Sequence, residues 1–239
     1  MPVAQVGDVR LYYEIHGADH AEPLVLICGL ALDISEITRL IDGLASGYRV
    51  LAFDNRGAGR SDKPDAPYTI EMMAADTAAV MRAAGMPHAT VLGISMGGRI
   101  ALALALAEPG MVDRLILVST TARVVQSLRR RVMRLGFLLP IGQGAHPQPG
   151  YAFRRQLRAS DGFDVTDRLA EIRVPAVIMH GRHDTSAPLA LATEMHARLP
   201  EAEMRIFRGG HIFMLAGQRK AFITAVLDGR NMRPPEPPG

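Results

Sequence analysis

The stretch Val91-Leu92-Gly93-Ile94-Ser95-Met96-Gly97-Gly98 joins a short apolar run to Arg99-Ile100-Ala101-Leu102-Ala103-Leu104-Ala105-Leu106, which has the composition of a helix. One serine therefore stands between glycines where a strand meets a helix. The G-x-S-x-G pattern at Gly93, Ser95 and Gly97 fits a sharp strand-to-helix turn. Such a turn strains the serine backbone, projects Oγ from the sheet and needs glycine where a side chain would collide. The bare motif also fits a serine N-cap between packing glycines, but the strand before it and the helix after it favour a nucleophile. The turn puts the Met96 amide at a helix N-terminus, where unpaired N–H groups and the helix dipole favour negative charge.

A serine hydroxyl is a poor nucleophile until a base takes its proton, and the intermediate it forms needs donors for the developing oxyanion. In a sheet built this way the chain order is Ser, then acid, then His. His211, in Gly209-Gly210-His211 just past an apolar run at 204–207, is the expected base. Asp184, in Gly181-Arg182-His183-Asp184 directly after the run 174–180, is the expected acid. An earlier strand could supply the acid instead, but the one that ends Val118-Ser119-Thr120-Thr121-Ala122 carries no carboxylate. His180 and His183 flank the acid and are expected to be ordinary strand-end and loop residues. His16, His20, His88, His146 and His196 precede strands or lie in the insertion or on a helix. The second oxyanion donor is expected from Cys28-Gly29-Leu30, through the Leu30 N–H; a plain glycine turn is the alternative there.

Working outward, apolar runs at 9–15, 24–28, 48–54, 89–94, 115–119, 174–180 and 204–207 predict strands, and helical segments are predicted at about 35–45, 70–84, 95–107, 189–199 and 218–227. Strand alternating with helix, after an antiparallel start, specifies an α/β fold: a mostly parallel central sheet with helices on both faces. Ligands of such sheets bind beyond the carboxyl ends of the strands. The nine-residue turn DNRGAGRSD, residues 54–62, is glycine-rich but lacks G-x-x-x-x-G-K-[ST] spacing, so a structural turn tethered by Arg56 is expected rather than a phosphate loop.

Residues 121–164 interrupt the alternation. An amphipathic stretch with Val124, Val125, Leu128, Val132 and Leu135 on one face precedes a Gly/Pro-rich middle at 142–150, which predicts a short helical lid inserted into a core of residues 1–120 and 165–230. Residues 121–160 hold eight arginines, Arg123, Arg129, Arg130, Arg131, Arg134, Arg154, Arg155 and Arg158, and no Asp or Glu. Two readings stay open: an entrance that favours a carboxylate-bearing substrate, or a solvated helix face. Residues 231–239 form a Pro-rich tail suited to neither helix nor ladder.

Composition sets the frame. The 239 residues, 48% hydrophobic, suffice for one sizeable core. No long uncharged apolar window and no basic-then-apolar leader is present, so a cytoplasmic protein without a membrane span is expected. The single cysteine, Cys28, excludes an intrachain disulfide and a cysteine-based metal cluster. A net charge of +3 without tryptophan or an aromatic-basic pattern argues against a nucleic-acid partner.

Taken in order, LICGL, DNRGAGRSD, GISMGG, VPAVIMHGRHD and GGH span nearly the whole chain outside the insertion. The combination resembles the α/β-hydrolase superfamily, especially its carboxylesterase and enol-lactonase-like bacterial members. The resemblance implies Ser95 as nucleophile, Asp184 as orienting acid, His211 as base, the Leu30 and Met96 amides as oxyanion hole, and no cofactor. It also implies a small-molecule ester or lactone as substrate. Thioesterases, carbon-carbon hydrolases, cofactor-free perhydrolases and a triad-bearing receptor with little turnover share the same features. The sequence departs from the pattern at Cys28, where many members carry histidine before the glycine.

Overall fold

The computed structural model describes residues 2–125 and 145–229. Eight strands form one sheet: β1 (Val3–Val6), β2 (Val9–His16), β3 (Glu22–Ile27), β4 (Tyr48–Phe53), β5 (Ala89–Ile94), β6 (Val112–Val118), β7 (Ala176–Gly181) and β8 (Ala202–Phe207). Their order is β1-β2-β4-β3-β5-β6-β7-β8. β1 pairs antiparallel with β2, and β2 antiparallel with β4; every later pairing is parallel. The helices are α1 (Thr38–Ala45), α2 (Ile70–Ala83), α3 (Met96–Ala107), α4 (Gly150–Gly162), α5 (Leu189–Arg198) and α6 (Arg219–Asp228). No helix among the described residues is long and apolar enough to cross a membrane.

The continuous apolar runs of the central strands are explained by burial on both faces. In β3, Val25 and Ile27 enter a core with α2 and α3, while Leu24 and Leu26 enter a second core with α1 and α6. The same alternation places Val91 of β5 on the first face and Leu92 on the second. The parallel strands all end on one edge, which therefore gathers the loops after β3, β5, β7 and β8.

Two local expectations are corrected, and a third falls largely outside the described residues. The predicted helix from residue 35 is a short 3₁₀ turn, Ile34–Glu36, capped reciprocally by Asp33 and Glu36, and α1 starts only at Thr38. β1 was not expected; it is a four-residue edge strand with one buried residue, Ala4, so its apolar pattern is too short to read. Within the insertion, the described helix is α4, which begins straight after Pro149 and buries Ala152, Phe153, Gln156, Ala159 and Ser160. The expected stripe lay earlier, and of its residues Leu128, Val132 and Leu135 lie outside the described residues, as do the arginines from Arg129 to Arg134 and the tail. Val125 is exposed. An isolated antiparallel bridge between Arg123 and Asp164 ties the two ends of the insertion together.

Candidate active site

Ser95 sits between β5 and α3 with φ 54 and ψ −111, a rarely populated backbone conformation that costs a non-glycine residue about 1 to 3 kcal/mol. Its neighbours hold it there. The Ser95 N–H donates to the Val118 carbonyl at 2.8 Å, and Thr120 Oγ1 donates to the Ser95 carbonyl at 2.7 Å. The glycines are sterically required: a Cβ on Gly97 would stand 2.2 Å from the Ile27 carbonyl oxygen, and one on Gly93 2.3 Å from that of Gly97. α3 thus starts tight against β3 and β5, and Met96 is its first residue, with an amide that has no partner within the helix.

Asp184 lies in the loop after β7 and His211 in the loop after β8. Gly181 allows these loops to meet, since a Cβ there would stand 2.4 Å from the Gly210 carbonyl oxygen. The His183 N–H donates to the Gly209 carbonyl at 2.9 Å, and Gly209 takes φ 113. The three sequence-predicted side chains are brought together. His211 Nδ1 is 2.8 Å from Asp184 Oδ2, and His211 Nε2 is 2.9 Å from Ser95 Oγ.

Asp184 is 6% exposed. Burial pushes its carboxyl up, but the hydrogen bonds from His211 and the Ala187 N–H outweigh this and hold it below the usual aspartate value. An ionised carboxylate only accepts, so His211 carries its proton on Nδ1 and offers the Nε2 lone pair to the Ser95 hydroxyl. The other carboxylate oxygen, Oδ1, accepts from the Ser186 and Ala187 amides at 2.9 and 2.8 Å. The loop is therefore fixed around both oxygens of the acid.

The Cys28–Leu32 loop adjoins the serine: a Cβ on Gly29 would stand 3.4 Å from Ser95 Cβ. Cys28 is fully buried, and burial raises its thiol well above the ordinary value, which makes it an unreactive packing group. The loop is held from below by Asn55, whose Nδ2 donates to the Cys28 carbonyl at 3.0 Å. From the insertion, the fully buried Gln156 donates to the Arg56 carbonyl at 2.8 Å and accepts from the Ala31 amide at 3.5 Å. Asn55 and Gln156 were not singled out in the sequence, although Asn55 falls inside the DNRGAGRSD stretch.

That stretch is structural. Its amides are used internally, Gly57 N–H to the Asp62 carbonyl at 2.9 Å and Arg60 N–H to Asp54 Oδ2 at 2.8 Å, and Arg56 forms a buried two-point ion pair with Asp76 on α2. Other histidines are engaged elsewhere: His16 with Glu14, His88 with Asp113 and His196 with the Ala202 carbonyl.

The family model for the alpha/beta hydrolase fold matches residues 22–140. A curated relative, "Putative carbamate hydrolase RutD" from Azorhizobium caulinodans, is 32% identical, covering 89% of this chain and 92% of that protein. Among solved structures, the enol-lactonase from Burkholderia xenovorans LB400 superposes with a TM-score of 0.83 at 26% identity, covering 97% of this chain and 100% of the other. The esterase EaEST from Exiguobacterium antarcticum does so with a TM-score of 0.82 at 25% identity, covering 95% and 97%. The strand order, the elbow at Ser95 and the carbamate hydrolase relative agree, and the chain belongs to the α/β-hydrolase family.

Proposed function

We propose that this protein is a cofactor-free serine hydrolase that cleaves a carboxylic ester or lactone through an acyl-enzyme intermediate. The observation that carries the reading is the unbroken line from Ser95 Oγ through His211 to Asp184, at 2.9 and 2.8 Å, on the carboxyl edge of the sheet. In this reading His211 Nε2 takes the Ser95 proton as Oγ attacks the carbonyl carbon, and Asp184 stabilises the imidazolium that results. The Leu30 and Met96 amides receive the oxyanion. Collapse expels the alkoxide, which leaves with the proton from His211. Water then enters, loses a proton to His211, and releases the acid and free Ser95.

The enol-lactonase and esterase neighbours support ester or lactone carbonyls as the substrate class. The carbamate hydrolase relative favours a second reading, in which the same groups act on a carbonyl flanked by nitrogen. Turnover of matched aryl esters, lactones, thioesters and aryl carbamates by the wild type and by Ser95→Ala separates these. The reading expects ester or lactone turnover that vanishes in Ser95→Ala. Carbamate turnover well above ester turnover selects the second reading, and turnover unaffected by Ser95→Ala overturns both.

A further inference from the structure

His180 is the penultimate residue of β7 and is completely buried. It shares a sheet face with Ile178, on the side of the core closed by α5, while Met179 faces the other way. Its Nε2 is 2.8 Å from the Ala187 carbonyl, an acceptor, so Nε2 carries the proton and Nδ1 is the bare nitrogen. The same Nε2 is 3.5 Å from Asp184 Oδ2, the oxygen that meets His211. Ala187 in turn donates its own N–H to Asp184 Oδ1 at 2.8 Å. One buried imidazole therefore touches both the carboxylate and the residue that holds the carboxylate from its other side. Asp184 and His211 are the charged or titratable groups that act on it. Burial lowers the basicity of His180 and outweighs the Ala187 carbonyl and Asp184, which raise it, so the ring is held below the usual histidine value and its neutral form is favoured at physiological pH. A neutral Nε2–H presents only the positive end of its dipole to Asp184, where an imidazolium would compete with His211 for the acid.

We propose that His180 is a positioning residue for the acid arm of the site, fixing Asp184 by holding the Ala187 carbonyl and turning its N–H toward Asp184 Oδ2. This rests on the triad reading above, in which Asp184 orients His211. The role depends on reach: a glutamine places an amide N–H where His180 Nε2 stands, whereas an asparagine falls short and a leucine fills the space without a donor.

The test is made in two parts on the full chain. The first uses wild-type protein with 15N-labelled histidine and needs no substrate. Ring nitrogen shifts at pH 7.5 should report His180 as the neutral Nε2–H form; an Nδ1–H tautomer or a cationic ring at that pH overturns the proposal. The second compares His180→Gln, His180→Asn and His180→Leu by kcat, KM and the low-field proton resonance of His211 Nδ1–H. His180→Gln should stay within about threefold of the wild-type kcat, while the other two lose about tenfold or more with little change in KM and a displaced or broadened resonance, as expected of a misplaced acid. Equal behaviour of the glutamine and asparagine variants would make His180 a packing residue only. If the wild type turned over none of the esters, lactones, thioesters or carbamates, the triad reading would fail, while the tautomer and the resonance would still decide the role of His180.

Discussion

Ser95 Oγ and His211 Nε2 lie 2.9 Å apart across 116 residues of sequence, joined because the loops after β5 and β8 end on the same edge of the sheet. The proton path from Ser95 to His211 is one hydrogen bond long, and Asp184 closes it at 2.8 Å. In the proposed reading, Ser95, His211 and Asp184 act as nucleophile, base and orienting acid of one unit, and such groups fail together rather than separately.

Asp184→Asn and His211→Ala should each lower kcat for a short-chain aryl ester by roughly 10³ to 10⁵ with little change in KM. The double variant should be no worse than the poorer single one. Steady-state kinetics of all three decide this, and multiplicative losses would mean that the two residues act independently.

Asp184 also ties stability to pH. Its carboxyl is held below the ordinary aspartate value in the fold, so its contribution is fully present above the unfolded value of about 3.9 and is lost as pH falls through the lower folded value. Asp184→Asn should therefore cost about 1.5 to 3 kcal/mol in urea unfolding at pH 7, the range for hydrogen bonds to a charged group. That difference should shrink as the pH falls below about 3.9 and through the lower folded value. A difference independent of pH would contradict the assignment.

The fold and the line Ser95, Asp184, His211 were legible because each leaves a local mark. Buried parallel strands read as apolar runs, the elbow needs Gly93 and Gly97 within a few residues of the serine, and strand-end loops place the acid and the histidine on the known edge. What stayed hidden acts between distant loops. Asn55 reaches Cys28 across 27 residues and Gln156 reaches Arg56 across 100, and neither bond has a periodicity or spacing to betray it. His180 read as a strand-end residue because its partner, Ala187, contributes only backbone. α4 was hidden for another reason: its buried positions include Gln156 and Ser160, so its inner face is not apolar.

Ser119 carries a testable strain. It takes φ 46 at the end of β6, is fully buried, and its hydroxyl has no hydrogen-bond partner among the described residues. Left-handed backbone costs about 1 to 2 kcal/mol and a buried unpaired hydroxyl about 1 to 3, against about 0.5 to 1 for the extra freedom of glycine in the unfolded chain. Ser119→Gly should therefore stabilise the protein by about 1 kcal/mol, a rise in Tm of about 2 to 4 °C for a chain of this size. A fall in Tm would show that the side chain packs better than it strains.

The described arginines of the insertion give no sign of anion selection. Arg123 pairs with Glu194 at 2.8 Å and Arg155 with Asp65 at 3.0 Å, while Arg154 and Arg158 are exposed, on the face of α4 away from its buried positions. Raising the salt from about 0.01 to 0.1 M shortens the Debye length from about 30 to 10 Å. Over that range kcat/KM should change alike for an ester bearing a free carboxylate and for a neutral ester of the same size. A steep fall for the charged ester alone would assign the arginines of this segment to substrate capture.

The central claim is that Ser95 Oγ is the nucleophile, and covalent trapping tests it most directly. After reaction with a fluorophosphonate, intact mass should show one adduct per chain, and peptide mapping should put it on Ser95. His211→Ala should label far more slowly and Ser95→Ala not at all, with the fold intact. Modification of any other residue, or an unlabelled wild type that still turns over ester, would contradict the account.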